Sequence, residues 1–186
     1  MKKLLIQNGF GEIESILNEW NYVKGWTDEF VYSIESITGI KGAAFTMAVI
    51  SEAQKTDIDM LMYYDTRPSV FNGIFDFYTY RPLKGYYPLL WYGSFYDLEN
   101  EIRTENKIDG IYTLAGIDRN GKISAVITNY NDDDNAKSKK ISIDFKKNST
   151  YDIYLLDKAH DGELIVTTDK LDIVIENQTV IMIKEI

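Results

Sequence analysis

The chain has 186 residues, a formal net charge of -9 and no cysteine. That length fits one large domain or two small ones, and would bury about 70% of the unfolded surface if it packed as a unit. The acidic balance lacks the basic stripe that nucleic acid requires, and the missing cysteines exclude disulfides and thiolate zinc sites. The single histidine, His160, cannot build a histidine metal centre or a serine–histidine–aspartate triad, and its neighbours Asp157, Lys158, Asp161 and Gly162 read as a solvated turn.

The opening Met1-Lys2-Lys3-Leu4-Leu5-Ile6 is basic then apolar, but Gln7-Asn8-Gly9 cuts it short of a signal-peptide core, so location is not signalled. No run approaches the roughly 18–20 apolar residues that would span a membrane. Lys2 to Asn8 reads as a helix end stopped by Gly9. Ile13 to Leu17 follows as a short apolar strand, and 19–26 as a loop. Thr27-Asp28-Glu29 supplies a cap and first-turn acids for a helix to about Ile37. Gly39 and Gly42 bracket a break, and a helix with Ala43, Ala44, Met47 and Ala48 at helical spacing runs to Lys55. Ile58 to Tyr64 is nearly continuous apolar, the pattern of a strand buried on both faces. An aromatic loop, Asp65 to Pro82, leads to a helix from Lys84 to Leu98. Strands alternating with helices imply parallel pairing.

After residue 100 the apolar period becomes two. Ile111 to Ile117 and Lys122 to Tyr130 flank Asn120-Gly121, a tight-turn signal. Further short strands are expected at Ile141 to Phe145, Tyr151 to Leu156, Leu164 to Thr168, Leu171 to Ile175 and Thr179 to Ile183. That spacing indicates an antiparallel sandwich. Asp132-Asp133-Asp134 lacks the glycine and distal glutamate of a calcium loop and reads as a solvated hairpin.

Two strand ends carry chemistry. Glu19 stands where the first strand emerges, flanked by Asn18, Trp20 and Asn21, with Tyr22 and Trp26 close in sequence. A rigidly held carboxylate can attack an anomeric carbon or stabilise an oxocarbenium-like charge, and aromatic rings can stack on sugar faces. The bland alternative is a solvated strand end with core aromatics. At the second strand end lie Tyr64, Asp65 and Arg67, which either contact sugar hydroxyls or pair with each other to fix the loop. The loop from Val70 to Tyr80 either walls a cleft or joins the two halves by packing.

Ile16-Leu17-Asn18-Glu19-Trp20-Asn21, Tyr63-Tyr64-Asp65, Phe71-Asn72-Gly73-Ile74-Phe75-Asp76 and Pro82-Leu83-Lys84-Gly85-Tyr86-Tyr87 together resemble the last two barrel units of clan A retaining glycoside hydrolases. The likeness is to those of family 39, the β-xylosidases and α-L-iduronidases. The resemblance implies an incomplete end of a (β/α)8 barrel over 1–99 and an accessory β-sandwich over 100–186. It implies Glu19 as nucleophile, with Trp20, Asn21, Trp26, Tyr64, Asp65 and Arg67 as substrate contacts, and neither metal nor cofactor. Asn18 before Glu19 also resembles the acid/base motif of the fourth barrel strand. Only one further barrel strand follows Glu19, which favours the nucleophile. Units one to six and their acid/base glutamate are absent from these residues. Two parallel strands cannot close a barrel, so a carbohydrate substrate would need a missing barrel portion, and the exposed edges would otherwise favour self-association. A non-catalytic carbohydrate-binding or structural sandwich with a docking segment is the alternative, and a protein-interaction subunit the third reading.

Overall fold

A computed structural model describes residues 2–24 and 27–186. The helix α1, Lys2–Gln7, buries none of its residues and ends at Gly9, whose φ of 81° is the left-handed stop that glycine allows.

The first strand, β1, spans Ile16–Trp20, three residues later than the apolar run suggests. Its start is fixed from a distance. Ser15 donates from its N–H to Asp59 Oδ2 at 2.7 Å and from its hydroxyl to the same oxygen at 3.0 Å. The Ser15 carbonyl accepts from the N–H of Asp59 and Met60. Pairing with β2, Met60–Tyr63, then proceeds in parallel, Ile16 opposite Met60, Leu17 opposite Leu61 and Trp20 opposite Tyr63. The partner strand, not the local hydrophobicity, sets where β1 runs, and it carries Glu19 and Trp20 into the strand. The expected burial of β2 on both faces is absent. Ile16, Leu17, Met60 and Met62 are exposed, because among the described residues no third strand joins this pair.

Helices α2, Phe30–Thr38, and α3, Ile40–Ala53, meet at Gly39. Gly42 lies inside α3 and does not break it. A Cβ there would stand 2.6 Å from the Ser36 carbonyl oxygen and 2.7 Å from Ile37 Cα, so glycine lets the two helices cross at backbone contact. Helix α4, Tyr86–Ser94, is shorter than expected and is continued by a single 3₁₀ turn, Phe95–Asp97. Pro88 is tolerated because it sits in the first turn, where no N–H is required.

The remaining strands are β3 (Asn100–Glu101), β4 (Ile111–Ile117), β5 (Ile123–Asn129), β6 (Lys139–Ser142), β7 (Tyr151–Leu156), β8 (Asp161–Thr168), β9 (Asp172–Ile175) and β10 (Thr179–Glu185). They form an antiparallel six-stranded sheet in the order β3-β4-β5-β10-β7-β8 and a two-stranded sheet β6-β9. The β4–β5 turn follows the Asn120-Gly121 signal: Gly121 has φ 77°, and Asp118 Oδ1 accepts from the N–H of Asn120 and Lys122 at 2.8 Å each.

While Leu164, Ile165 and Val166 of the edge strand β8 are exposed, the central strands of the six-stranded sheet are covered on both faces. On one, Ile111, Ile127, Tyr151, Ile153, Ile181 and Ile183 meet Ile141 of β6 and Ile175 of β9. On the other, Val126, Leu156, Val180 and Met182 meet Ile40, Ala43, Ala44 and Met47 of α3 and Trp91 of α4. The expected boundary at 99/100 therefore divides the chain where the strand pattern changes but not where the core divides. The principal helix of the first half completes its core on the sheet of the second.

No helix among the described residues is long and apolar enough to cross a membrane.

Candidate active site

Parallel pairing brings the C-terminal ends of β1 and β2 side by side. The N–H of Tyr64 donates to the Trp20 carbonyl at 3.0 Å, and Asn21 Nδ2 donates to the Tyr64 carbonyl, so the two segments leaving the strands are tied together. The Tyr64–Asp65 peptide is cis. Successive side chains on a strand point to opposite faces. Trp20 turns towards the helices, its ring edge-on to Tyr63 at 5.3 Å and 6.5 Å from Phe45 of α3. Glu19, the preceding residue, is exposed. The indole expected as a sugar platform lies against Tyr63 and Phe45 and also lines the cleft.

Glu19 lines a cleft of about 480 Å³ between the strand ends, α2 and the β2–α4 loop. Its walls are Trp20, Asn21, Val23 and Tyr64 from the strand ends, Phe30, Ser33, Ile34 and Ile37 from α2, and Phe71 and Asn72 from the loop. Glu19 is the one carboxylate among these residues. The carboxylate thus stands on a mostly apolar wall at the rim of the parallel pair. Trp26, expected as a second platform, lies outside the described residues.

Asp65 and Arg67 are brought together. Arg67 Nε meets Asp65 Oδ2 at 2.7 Å and the Arg67 N–H donates to Asp65 Oδ1 at 3.2 Å, with Asp65 mostly buried and Arg67 exposed. The pair fixes the loop, which was one of the two alternatives open at the sequence level. The loop then folds back on itself: Ser69 Oγ donates to Asn72 Oδ1 at 2.8 Å, and Asp65 N–H donates to the Asn72 carbonyl at 3.4 Å. Burial pushes the Tyr63 phenol up to about 12, so behind the strand it stays neutral.

The acidic segment after β5 is not a free hairpin. Lys41 of α3 is buried, its side chain 6% exposed, and its ammonium meets Asp134 Oδ1 at 2.9 Å, Asp132 Oδ1 at 3.2 Å and the Asp132 carbonyl. Tyr22, three residues beyond Glu19, donates to Asp132 Oδ1 at 2.7 Å, and Tyr32 of α2 donates to Asp134 Oδ2 at 2.8 Å. Gln178 donates to Asp134 Oδ1 at 2.6 Å. Hydrogen bonds from Lys41, Gln178 and Tyr32 hold the Asp134 carboxyl down at about 2. The segment leaving β1 is therefore anchored to the sheet half of the molecule. Sequence reasoning missed this because an aspartate run and a lysine 91 residues away share no local signal.

His160 keeps its place in the β7–β8 turn. Its Nδ1 is 2.9 Å from Asp157 Oδ1, while Lys84 donates to the His160 carbonyl at 2.9 Å and pairs with Asp161 at 2.6 Å. Among the described residues no group of three or more histidine, cysteine, aspartate or glutamate side chains is placed to hold a metal ion.

No family model matches the chain, and no curated protein matches it. Solved structures do. A glucosidase from Croceicoccus marinus matches 99% of this chain with 48% of its own length, at a TM-score of 0.69 and 13% identity. A glycoside hydrolase family 30 subfamily 8 xylanase from Clostridium acetobutylicum matches 98% of this chain with 44% of its own, at 0.66 and 13%. A family 51 arabinofuranosidase from Xanthomonas axonopodis pv. citri matches 100% with 45% of its own, at 0.59 and 11%. The chain spans less than half the length of each. What it shares with these glycoside hydrolases is a fold.

Proposed function

We propose that these residues form the C-terminal portion of a glycosidase that cleaves O-glycosidic bonds with retention, and that Glu19 is its nucleophile. The observation that carries the reading is the exposed Glu19 on the cleft wall beside the Tyr64 strand end, within a fold shared with a glucosidase, a xylanase and an arabinofuranosidase. A Glu19 carboxylate oxygen would attack the anomeric carbon, forming a glycosyl ester as the bond to the leaving oxygen breaks. That oxygen takes a proton from a second carboxylic acid, which afterwards, as its conjugate base, draws a proton from the water that hydrolyses the ester.

In retaining enzymes the two carboxyl groups stand roughly 5–5.5 Å apart. No second carboxylate lines the described cleft, and the proposal assigns the acid to a barrel portion outside these 186 residues. Asn21 and Tyr64 hold the rim, and Asp65 acts by positioning Arg67. Within this reading, the Asn18-Glu19-Trp20-Asn21 motif is taken as resembling that of family 39. The alternative, in which the sheet half alone is a carbohydrate-binding module, finds the faces of the central strands β5, β7 and β10 occupied.

A reagent with a leaving group that needs no protonation tests the nucleophile without the missing acid. Incubation with 2,4-dinitrophenyl 2-deoxy-2-fluoro-β-xyloside or the corresponding glucoside should add one fluoroglycosyl mass, mapped by peptide sequencing to Glu19 and absent from Glu19→Gln. An adduct elsewhere, or one that persists in Glu19→Gln, rejects Glu19 as nucleophile.

A further inference from the structure

Two walls of the Glu19 cleft, the strand ends and helix α2, are tied to the same third body. On the strand-end wall Asn21 and Val23 line the cleft, and Tyr22 between them is 7% exposed. Its hydroxyl donates to Asp132 Oδ1 at 2.7 Å, and its ring stands edge-on to Phe45 of α3 at 5.4 Å. On α2 Ser33 lines the cleft, and the neighbouring Tyr32 donates to Asp134 Oδ2 at 2.8 Å. Lys41 joins the two arms, because its ammonium donates to the Tyr32 hydroxyl at 2.6 Å and pairs with both aspartates. Between the walls themselves, the Lys24 N–H donates to Ser33 Oγ at 3.0 Å.

The acceptors are held in turn by the sheet half. The Asn131 N–H donates to Asn177 Oδ1 at 2.9 Å, and Asn177 Nδ2 donates to the Asn131 and Asp133 carbonyls at 3.3 and 2.9 Å. Gln178 donates to Asp134, so the acidic segment is seated on the residues that lead into β10. Stability alone does not call for this network, since apolar residues often replace a buried ion pair at no loss. What it adds is geometry. Apolar contacts can slide, whereas a hydrogen bond weakens steeply as its angle and length change. Two directional arms on one seated segment fix how far apart the two walls stand. A misplacement of about 1 Å in a reacting site can cost a hundredfold in rate.

We propose that Asp132 and Asp134 are positioning residues of the Glu19 cleft. Asp132 acts through Tyr22 on the strand end that bears Glu19, and Asp134 acts through Tyr32 on α2. The sheet half is then a working part of the site. The chemical meaning of the inference rests on the glycosidase reading; its geometry does not.

The test uses the full chain. Tyr22→Phe and Tyr32→Phe each remove one hydroxyl and keep the ring and the Lys41 ion pairs. Thr113→Val is the control, because it deletes a hydrogen bond of the same kind on β4, from Thr113 Oγ1 to Thr104 Oγ1 at 2.7 Å. Amide hydrogen exchange compares two rim N–H groups, Lys24 on Ser33 Oγ and Tyr64 on the Trp20 carbonyl, with Ile127 and Ile181 of the sheet. Each tyrosine variant should speed Lys24 exchange about tenfold relative to the sheet amides. Tyr22→Phe should also speed Tyr64, and Thr113→Val should leave both ratios at the parent values. In labelling by the fluoroglycoside, Tyr22→Phe should lower the limiting rate at Glu19 and Tyr32→Phe should raise the half-saturating concentration, each about tenfold.

Unchanged rim exchange in both tyrosine variants overturns the inference, as does a control that moves the rim amides equally. So does labelling of both variants with the parent constants. The two claims fail separately. An adduct that persists in Glu19→Gln rejects the glycosidase reading and leaves the positioning to be decided by exchange. Unchanged rim exchange beside a Glu19-dependent adduct rejects the positioning residues alone.

Discussion

Lys41 and its two aspartates are unequally buried, and that asymmetry fixes the order in which their loss should matter. The lysine side chain is 6% exposed, whereas those of Asp132 and Asp134 are 58% and 52% exposed. Removing the ammonium by Lys41→Met leaves two carboxylates that water can reach, and keeps most of the apolar stem. The loss is then that of partly exposed ion pairs, about 1 kcal/mol. Removing both negative charges by D132N/D134N leaves the ammonium buried with only neutral acceptors: the Tyr32 hydroxyl, the backbone carbonyl of residue 132 and the two new amide oxygens. Stranding a buried charge costs about 3–5 kcal/mol, and these surviving acceptors place the expected value near the lower end, about 3. The triple variant K41M/D132N/D134N no longer has a charge to strand and should recover about 2 kcal/mol of that loss. Urea unfolding of the four proteins, with m-values checked for constancy, measures all three quantities. If D132N/D134N costs no more than K41M, or if the triple variant is simply additive, Lys41 is not held by its aspartates and the reasoning fails.

The same cluster should show in the pH dependence of stability. Asp134 titrates near 2 in the folded chain, below an ordinary carboxylate, so its contribution is present above about pH 4 and is lost as pH falls towards 2. Lys41 is shifted the opposite way: burial lowers it, but hydrogen bonds to Tyr32, Asp134 and Asp132 outweigh that, so its contribution persists until pH rises beyond the ordinary lysine range. The urea midpoint should fall between about pH 4 and 2 in the parent and fall less in Asp134→Asn; equal slopes would disconnect Asp134 from the acid limb. Two glycines in helices should respond to alanine with opposite signs. G42A brings a Cβ onto the Ser36 and Ile37 backbone and should cost about 2 kcal/mol despite alanine's better helix propensity. G93A meets nothing within 4 Å and should gain about 0.5 kcal/mol. Thermal melts that move in the same direction would reject the contact assigned to Gly42.

What the sequence discloses and what it hides follow from distance along the chain. The strands after residue 100 are legible because each carries its own alternation, and Asn120-Gly121 states its turn locally. Glu19 is legible only as a carboxylate just beyond an apolar run. The true extent of β1 is not, because it depends on the Ser15–Asp59 contact across 44 residues. Gly42 looks like a helix breaker when read alone, and only the crossing of α2 over α3 explains it. Asp132 and Asp134 read as solvated because their partners, Lys41, Tyr22, Tyr32 and Gln178, come from four other segments. The apolar run of β2 announces burial on both faces, and the described residues supply no neighbours to provide it.

The order of strands in the six-stranded sheet bears on how the chain comes to be folded. β10, last in chain order, lies between β5 and β7 and joins the β4–β5 hairpin to the β7–β8 hairpin. Each hairpin can close as soon as it is made, but they can become one sheet only after Thr179–Glu185 has been synthesised and inserted. Until then β5 and β7 each present an open apolar edge, the situation in which strands pair with the wrong neighbour. Helix α3, complete much earlier, must wait for Val180 and Met182 to fill the surface it packs on. A nascent chain stalled or trimmed just before β10 would therefore lose more than an edge strand: it would hold two hairpins and a helix with nothing to bring them together.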